Sequence, residues 1–289
     1  MSNRSETNRS ETVTPELLRS WPLPAPGESK HARGDVVVVG GAERSPGAVM
    51  LAGAAALRVG AGRLTLAVDE RVATAVAVAV PECGVVPLRR WSLASAADDL
   101  GGADVVLFGP GLDDARQAGR MLRSLVDLVP ADATVVLDAY ALGVAPRVQQ
   151  LEQLRGRLVF TPNTEEAARL LERDSEGMGQ DDLPEAVSEI ASRYGAVVTC
   201  FGVVGHPDGR RWLVEEGGPG LATSGSGDVL AGAIAGLAAR GADPAQAAVW
   251  GTHAHAAAGD RLAVAVGPLG YLASELLPEL PRVLVEIGR

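Results

Sequence analysis

A run of small residues, Gly225-Ser226-Gly227, leads directly to a single carboxylate, Asp228, where a long apolar helical pattern begins. The first N–H groups of a helix lack intrahelical acceptors and favour an anion. Glycines at 225 and 227 let a phosphate approach the backbone closely. Asp228 stands where a base would take a proton from a hydroxyl facing that phosphate. The amides of 225–227 would stabilise the transferring group electrostatically, and the helix N-terminus would keep Asp228 ionised. The chemistry expected is phosphoryl transfer to a hydroxyl.

Such a loop needs a sheet to position it. From Asp35 onward, short apolar runs at 36–39, 63–68, 105–108, 134–137, 158–161 and 196–200 alternate with helical patterns at 46–59, 69–79, 114–128, 164–173 and 184–193. Short apolar strands separated by helices predict buried parallel pairing, hence an α/β fold with a mostly parallel central sheet and helices on both faces. Arg211–Val214 reads as a hairpin strand after the turn Pro207-Asp208-Gly209. Helices are expected over 228–239, 244–264 and 270–277. Residues 34–289 read as one catalytic domain. Ahead of it, 1–33 reads as a disordered tail with a repeated pentamer, a helix capped at Thr14-Pro15, and a stiff connector around Trp21–Pro26.

Ligands of such sheets sit outside the carboxyl ends of the strands. Glycine or acidic clusters fall at several of those ends: Gly40-Gly41-Ala42 with Gly47-Ala48, Gly109-Pro110-Gly111-Leu112, Asp138-Ala139-Tyr140, and Thr161-Pro162-Asn163-Thr164-Glu165-Glu166. With the 225–228 loop they predict one shared cleft.

Composition narrows the chemistry. Lys30 is the only lysine, which excludes a Walker loop and any Schiff-base lysine after position 30. The net charge of −10 argues against nucleic acid as a partner. Two cysteines, Cys83 and Cys200, give no disulfide framework and read as inert core thiols. No apolar run is long enough for a membrane span and no signal peptide is visible, so a cytoplasmic protein is expected. His253 and His255 lie two apart in a helical pattern and face different ways, so no metal site is expected there.

In kind and order these clusters resemble the ADP/ATP-dependent NAD(P)H-hydrate dehydratase family, within the ribokinase-like fold. The likeness covers 34–265 and includes Ala55–Gly62, Val136–Ala139 and Gly220–Gly232. It implies an enzyme that phosphorylates the hydroxyl of hydrated NADH or NADPH with ADP or ATP, normally with Mg²⁺, and eliminates phosphate to restore the dinucleotide. It implies Asp228 as the catalytic base, Ala48, Gly111, Asn163 and Asp228 against the hydrated substrate, and Gly202, Gly225, Ser226 and Gly227 against the nucleotide. It also suggests a homo-oligomer, a tetramer; bifunctional relatives carry an epimerase domain ahead of this one, and the short stretch before Gly34 leads us to expect none here. The chain departs from the family pattern at three places: Asn163 stands where a histidine is usual, Tyr140 where an aspartate is frequent, and Phe201 where a lysine precedes glycine. Arg210 and Arg211 are candidates to supply the missing cation. Two other readings share Asp228 or the nucleotide loop: a ribokinase-like kinase of a small alcohol, and a non-catalytic nucleotide-binding protein.

Overall fold

The computed structural model describes residues 10–173 and 179–288. The chain runs β1 (Ser10–Thr12), α1 (Pro15–Ser20), β2 (Asp35–Gly40), α2 (Pro46–Arg58), β3 (Arg63–Asp69), α3 (Ala73–Ala79), β4 (Gly84–Leu88), α4 (Ala97–Gly101), β5 (Val105–Phe108) and α5 (Ala115–Val126). It continues through β6 (Thr134–Leu137), α6 (Tyr140–Val144), β7 (Leu158–Phe160), α7 (Thr164–Leu170), α8 (Leu183–Tyr194), β8 (Ala196–Cys200), β9 (Val203–Gly205) and β10 (Arg211–Leu213). Helices α9 (Ser226–Ala239), α10 (Pro244–Ala265) and α11 (Ala273–Ile287) complete it.

One sheet takes the order β1-β10-β9-β8-β7-β6-β5-β2-β3-β4. Only the β9 pairings, with β8 and β10, are antiparallel. The remaining pairs are parallel. Alternate side chains of β2 feed two cores: Val36 and Val38 pack under α2, α9 and α10, and Val37 and Val39 pack under α5 to α8. That two-sided burial is why the strands are uniformly apolar instead of alternating.

The β9–β10 pair is the expected hairpin. The elements depart from the sequence expectation at several places, three of which have a plain physical reason. Residues 1–9 of the expected tail lie outside the described residues, but Ser10–Thr12 is not tail: it adds a strand parallel to β10. β4 was not expected, because Pro87 and half-exposed positions obscure its pattern. α11 runs well past 277, through Pro278 and Pro281, because Leu276, Leu280, Val283 and Ile287 are buried against its neighbours.

Two helices cross closely to bring the 225–228 loop over the sheet. A Cβ on Gly232 of α9 would lie 2.0 Å from the Ala52 carbonyl of α2, and one on Gly236 2.4 Å from the Ala56 carbonyl. Small residues at these two positions set the α2–α9 separation.

Candidate active site

The order of the strands reverses between β2 and β5, since β2 leads outward to β3 and β5 leads the other way to β6. Such a switch point opens a crevice at the carboxyl ends of the strands. The two loops that leave it are tied together: Gly41 N–H donates to the Pro110 carbonyl (2.9 Å) and Ala42 N–H to the Gly111 carbonyl (2.8 Å). Gly111 has φ of +68°, and a Cβ there would lie 2.4 Å from the Ser45 carbonyl and 3.0 Å from Ala48 Cβ. Ala48 and Gly111 therefore lie side by side where these two loops meet.

Gly225 (φ +89°) turns the chain into α9, and Ser226, Gly227 and Asp228 form its first turn. The helix thus starts two residues earlier than the sequence pattern implied. Ser226 N–H is engaged with the Thr223 carbonyl (3.2 Å). The N–H groups of Gly227 and Asp228 lie in the first turn of α9, where the helix itself offers no acceptor. A Cβ built on Gly227 meets nothing within 4 Å, so a ligand has room to reach this backbone. Ser226 is buried, and its Oγ lies 2.9 Å from His255 Nε2 on α10. Burial pushes the His255 imidazole down to about 4, so the ring stays neutral at physiological pH. Sequence spacing offered no means of pairing these residues.

The expectation that the helix terminus holds Asp228 low is not met; burial pushes its carboxyl up to about 6. Desolvation outweighs the partial charge of one helix end. At neutral pH the group remains mostly ionised and well matched to proton abstraction. Behind it lies Asp138, 6% exposed, at the end of β6. Burial first, then the charges of Asp228 and Glu166, push its carboxyl up to about 7 against the opposing Thr161 hydrogen bond. Thr161 Oγ1 donates to Asp138 Oδ1 at 2.7 Å. The two carboxylates repel one another, so their titrations belong to the pair. Ala139, next along, has φ of +50°, an uncommon conformation for a side chain with a Cβ. The motif containing Asp138 was legible in the sequence; its burial and its coupling to Asp228 were not.

Asn163 caps α7. Its Oδ1 accepts from Glu166 N–H (2.8 Å), and its own N–H donates to Glu166 Oε2 (3.0 Å). This capping box fixes Glu166 beside Asp138 and commits the Asn163 carbonyl oxygen to the helix. Phe201 (φ +46°, 66% exposed) and Gly202 (φ +81°) form the turn after β8. Gly202 accepts from Val214 N–H at 2.8 Å, which pins that turn to the end of β10.

Both arginines that the sequence offers as replacements for the missing cation have partners away from the 225–228 loop. Arg210 is bound to Asp208 (2.8 Å) and stacks on the Trp212 ring (5.4 Å). Arg211 is buried with its guanidinium 3.6 Å from Glu185 of α8. His253 lies 3.4 Å from Glu216, apart from His255, and no group of three metal-binding side chains occurs among the described residues. Cys200 is buried, and burial pushes its thiol up to about 12, consistent with an inert residue.

A family model described as NAD(P)H-hydrate dehydratase matches residues 36–282. The ADP-dependent (S)-NAD(P)H-hydrate dehydratase of Xanthomonas campestris pv. campestris is 42% identical over 97% of this chain and 98% of its own length. The bifunctional NAD(P)H-hydrate repair enzyme Nnr of Moorella thermoacetica is 38% identical over 88% of this chain, which spans only 50% of that relative's length. Among solved structures, the ADP/ATP-dependent NAD(P)H-hydrate dehydratase of Bacillus subtilis, co-crystallised with ATP/Mg²⁺, superposes with a TM-score of 0.80 at 27% identity, covering 96% of this chain and 99% of that one. The fold is the ribokinase-like one, shared at lower identity with ribokinases.

Proposed function

The chain belongs to the NAD(P)H-hydrate dehydratase family, and from that we propose how its crevice carries out the reaction. The enzyme dehydrates hydrated NADH or NADPH at the expense of ADP or ATP. The observation that carries the mechanism is the juxtaposition of Asp228, raised to about 6, with the open backbone at Gly227.

The hydrated nicotinamide ring enters the switch-point crevice against Ala48 and Gly111. The nucleotide lies against Gly202, Gly225, Ser226 and Gly227, with its terminal phosphate over the first turn of α9. Asp228 takes the proton of the ring hydroxyl, whose oxygen attacks the terminal phosphorus while the phosphoanhydride bond breaks. N–H groups at the start of α9 neutralise the charge that develops on the transferring group. The C–O bond to the new phosphate then breaks, the neighbouring ring carbon gives up a proton, and the reduced dinucleotide is restored. Asp138, poised near neutrality behind Asp228, holds or releases a proton as the charge on its neighbour changes. His255 fixes the Ser226 hydroxyl from behind. Asn163 acts mainly through Glu166, which its cap positions.

Mg²⁺ fits this site as a companion of the nucleotide. The carboxylates of Asp138, Glu166 and Asp228 are hard oxygen donors, too few and too dispersed for an all-protein cage, which is the usual setting of a Mg²⁺ bound through phosphates. It would neutralise phosphate charge, the task left open by the absence of a lysine. We also propose a homo-oligomer, a tetramer, located in the cytoplasm. Val264, Val266, Leu269 and Leu272 stand exposed together around the α10–α11 turn, which supports self-association. No helix of the described residues is long and apolar enough to cross a membrane.

The test is to incubate the protein with hydrated NADH, Mg²⁺ and either nucleotide and follow the reduced-nicotinamide absorbance. It should reappear with at least one nucleotide, and Asp228→Asn should abolish it. No recovery with either nucleotide refutes the proposal.

A further inference from the structure

On the sheet face away from α9, helix α5 and the helical turn after α6 wall a groove of about 380 Å³. Arg116, Arg120, Arg123 and Arg147 line it, over a floor that includes Val144 and Val148. None of these residues belongs to the crevice described above. The first three arginines recur at i, i+4 and i+7, so α5 presents them as one stripe. Arg147 comes from a separate element, the 3₁₀ turn Ala145–Arg147. Gly119, between the stripe and Val144, leaves the floor open: a Cβ there would lie 3.7 Å from an Arg123 nitrogen and 3.9 Å from Val144.

These four side chains are exposed, and among the described residues none has a carboxylate partner. Many other surface guanidinium groups are paired with carboxylates, as Arg71 is with Asp69 and Glu43, Arg193 with Glu172, and Arg261 with Glu279 and Glu286. The nearby Asp114 is occupied in capping α5 through Gln117 N–H (2.8 Å). Like charges at helical spacing repel and weaken a helix. Four of them converge here in a chain whose net charge is −10. An anion shared among them removes that repulsion.

We propose that the α5–α6 groove is a second ligand site, separate from the crevice, that binds the diphosphate group of a nucleotide or dinucleotide. Guanidinium forks pair bidentately with phosphoryl oxygens. Four of them, from two elements, more than neutralise two linked phosphates. The valine floor takes the apolar face of the attached sugar or base. The chain's overall negative charge repels an extended nucleic acid, which favours a small anion. The site stands whether or not the crevice is a dehydratase.

The test is hydrogen exchange on the full chain with inorganic pyrophosphate, ADP or NAD⁺ added singly, read by peptide, with calorimetric titration at low and physiological salt. Exchange should slow in 115–126 and 145–148 with pyrophosphate, and with ADP or NAD⁺, the tighter of the two naming the source. The affinity should drop severalfold at the higher salt. R120A/R147A should weaken binding in the groove at least tenfold without changing the melting temperature or the crevice activity. R116A/R123A should do the same, and the exchange footprint of the parent needs no variant. Protection confined to 225–229, no protection with any of the three ligands, or equal affinity in parent and both variants overturns the proposal. Displacement of pyrophosphate by a short oligonucleotide at lower concentration than ADP overturns it as well.

Discussion

Replacing Asp138 with asparagine should make the protein more resistant to unfolding at alkaline pH and leave it little changed at mildly acidic pH. In the fold its carboxyl is raised from 3.8 to about 7. Between those values the folded chain holds a proton that the unfolded chain has released. Stability therefore falls as pH rises through this window, the sense opposite to that of a salt-bridged aspartate. For one group with these two values, the loss between about pH 5 and about pH 8 is roughly 2–3 kcal/mol. Asparagine keeps an acceptor for Thr161 Oγ1 and carries no charge, so the variant escapes this loss. Urea unfolding of parent and Asp138→Asn at the two pH values measures the difference directly. The stability gap should move in favour of the variant by that amount on going from acid to base. Asp228 titrates in both proteins, so its own contribution largely cancels. Parallel stability curves over the whole range would refute the argument that Asp138 is a buried acid facing a second carboxylate.

Gly232→Ala should destabilise the chain by about 1–3 kcal/mol in chemical denaturation, because its Cβ must displace the Ala52 carbonyl, whereas no measurable loss would mean that α2 and α9 are not in close contact. Gly227→Ala meets open space and should leave the unfolding midpoint in place while cutting turnover at least tenfold, since its methyl occupies the approach of the phosphate; full activity would remove the phosphate from this loop. Asn163→Ala should cost about 1 kcal/mol of stability and Asn163→Asp almost nothing, because only the first deletes the cap oxygen of α7. Cys200 should resist a thiol reagent at about pH 8 in the native protein and react after unfolding, read by mass spectrometry of the labelled peptide.

Much of this architecture was legible from residue types. The apolar runs of β2, β3, β5, β6, β7 and β8 are buried on both faces, and that burial leaves a plain signature. β1 was not legible because its three polar residues are ordered only by pairing with β10, more than half the chain away. α11 was cut short because a local pattern sees Pro278 and Pro281 as stops, while the tertiary contacts of Leu280 and Val283 hold the helix together. In the crevice, glycine positions could be read because each marks a close approach, at Gly109, Gly111 and Gly225. The ionisation of Asp228 could not, since it depends on how much water the folded crevice excludes. The same holds for His255, which reaches Ser226 from a helix whose register is fixed by packing. The loss of the family's lysine and histidine was plain in the sequence. What the structure adds is that Arg210 and Arg211 are engaged elsewhere, and that Asn163 serves as a cap.

In the proposed mechanism Asp228 starts a phosphorylation that ends in elimination. The most direct measurement is the stoichiometry of one reaction: hydrated NADH supplied with Mg²⁺ and ATP, or with ADP, followed for NADH, orthophosphate and spent nucleotide together. All three products should appear in equal amounts and at equal rates, and Asp228→Asn should suppress them together. Consumption of nucleotide with a stable phosphorylated product and no NADH would contradict that mechanism, as would unchanged product formation in the Asp228→Asn variant.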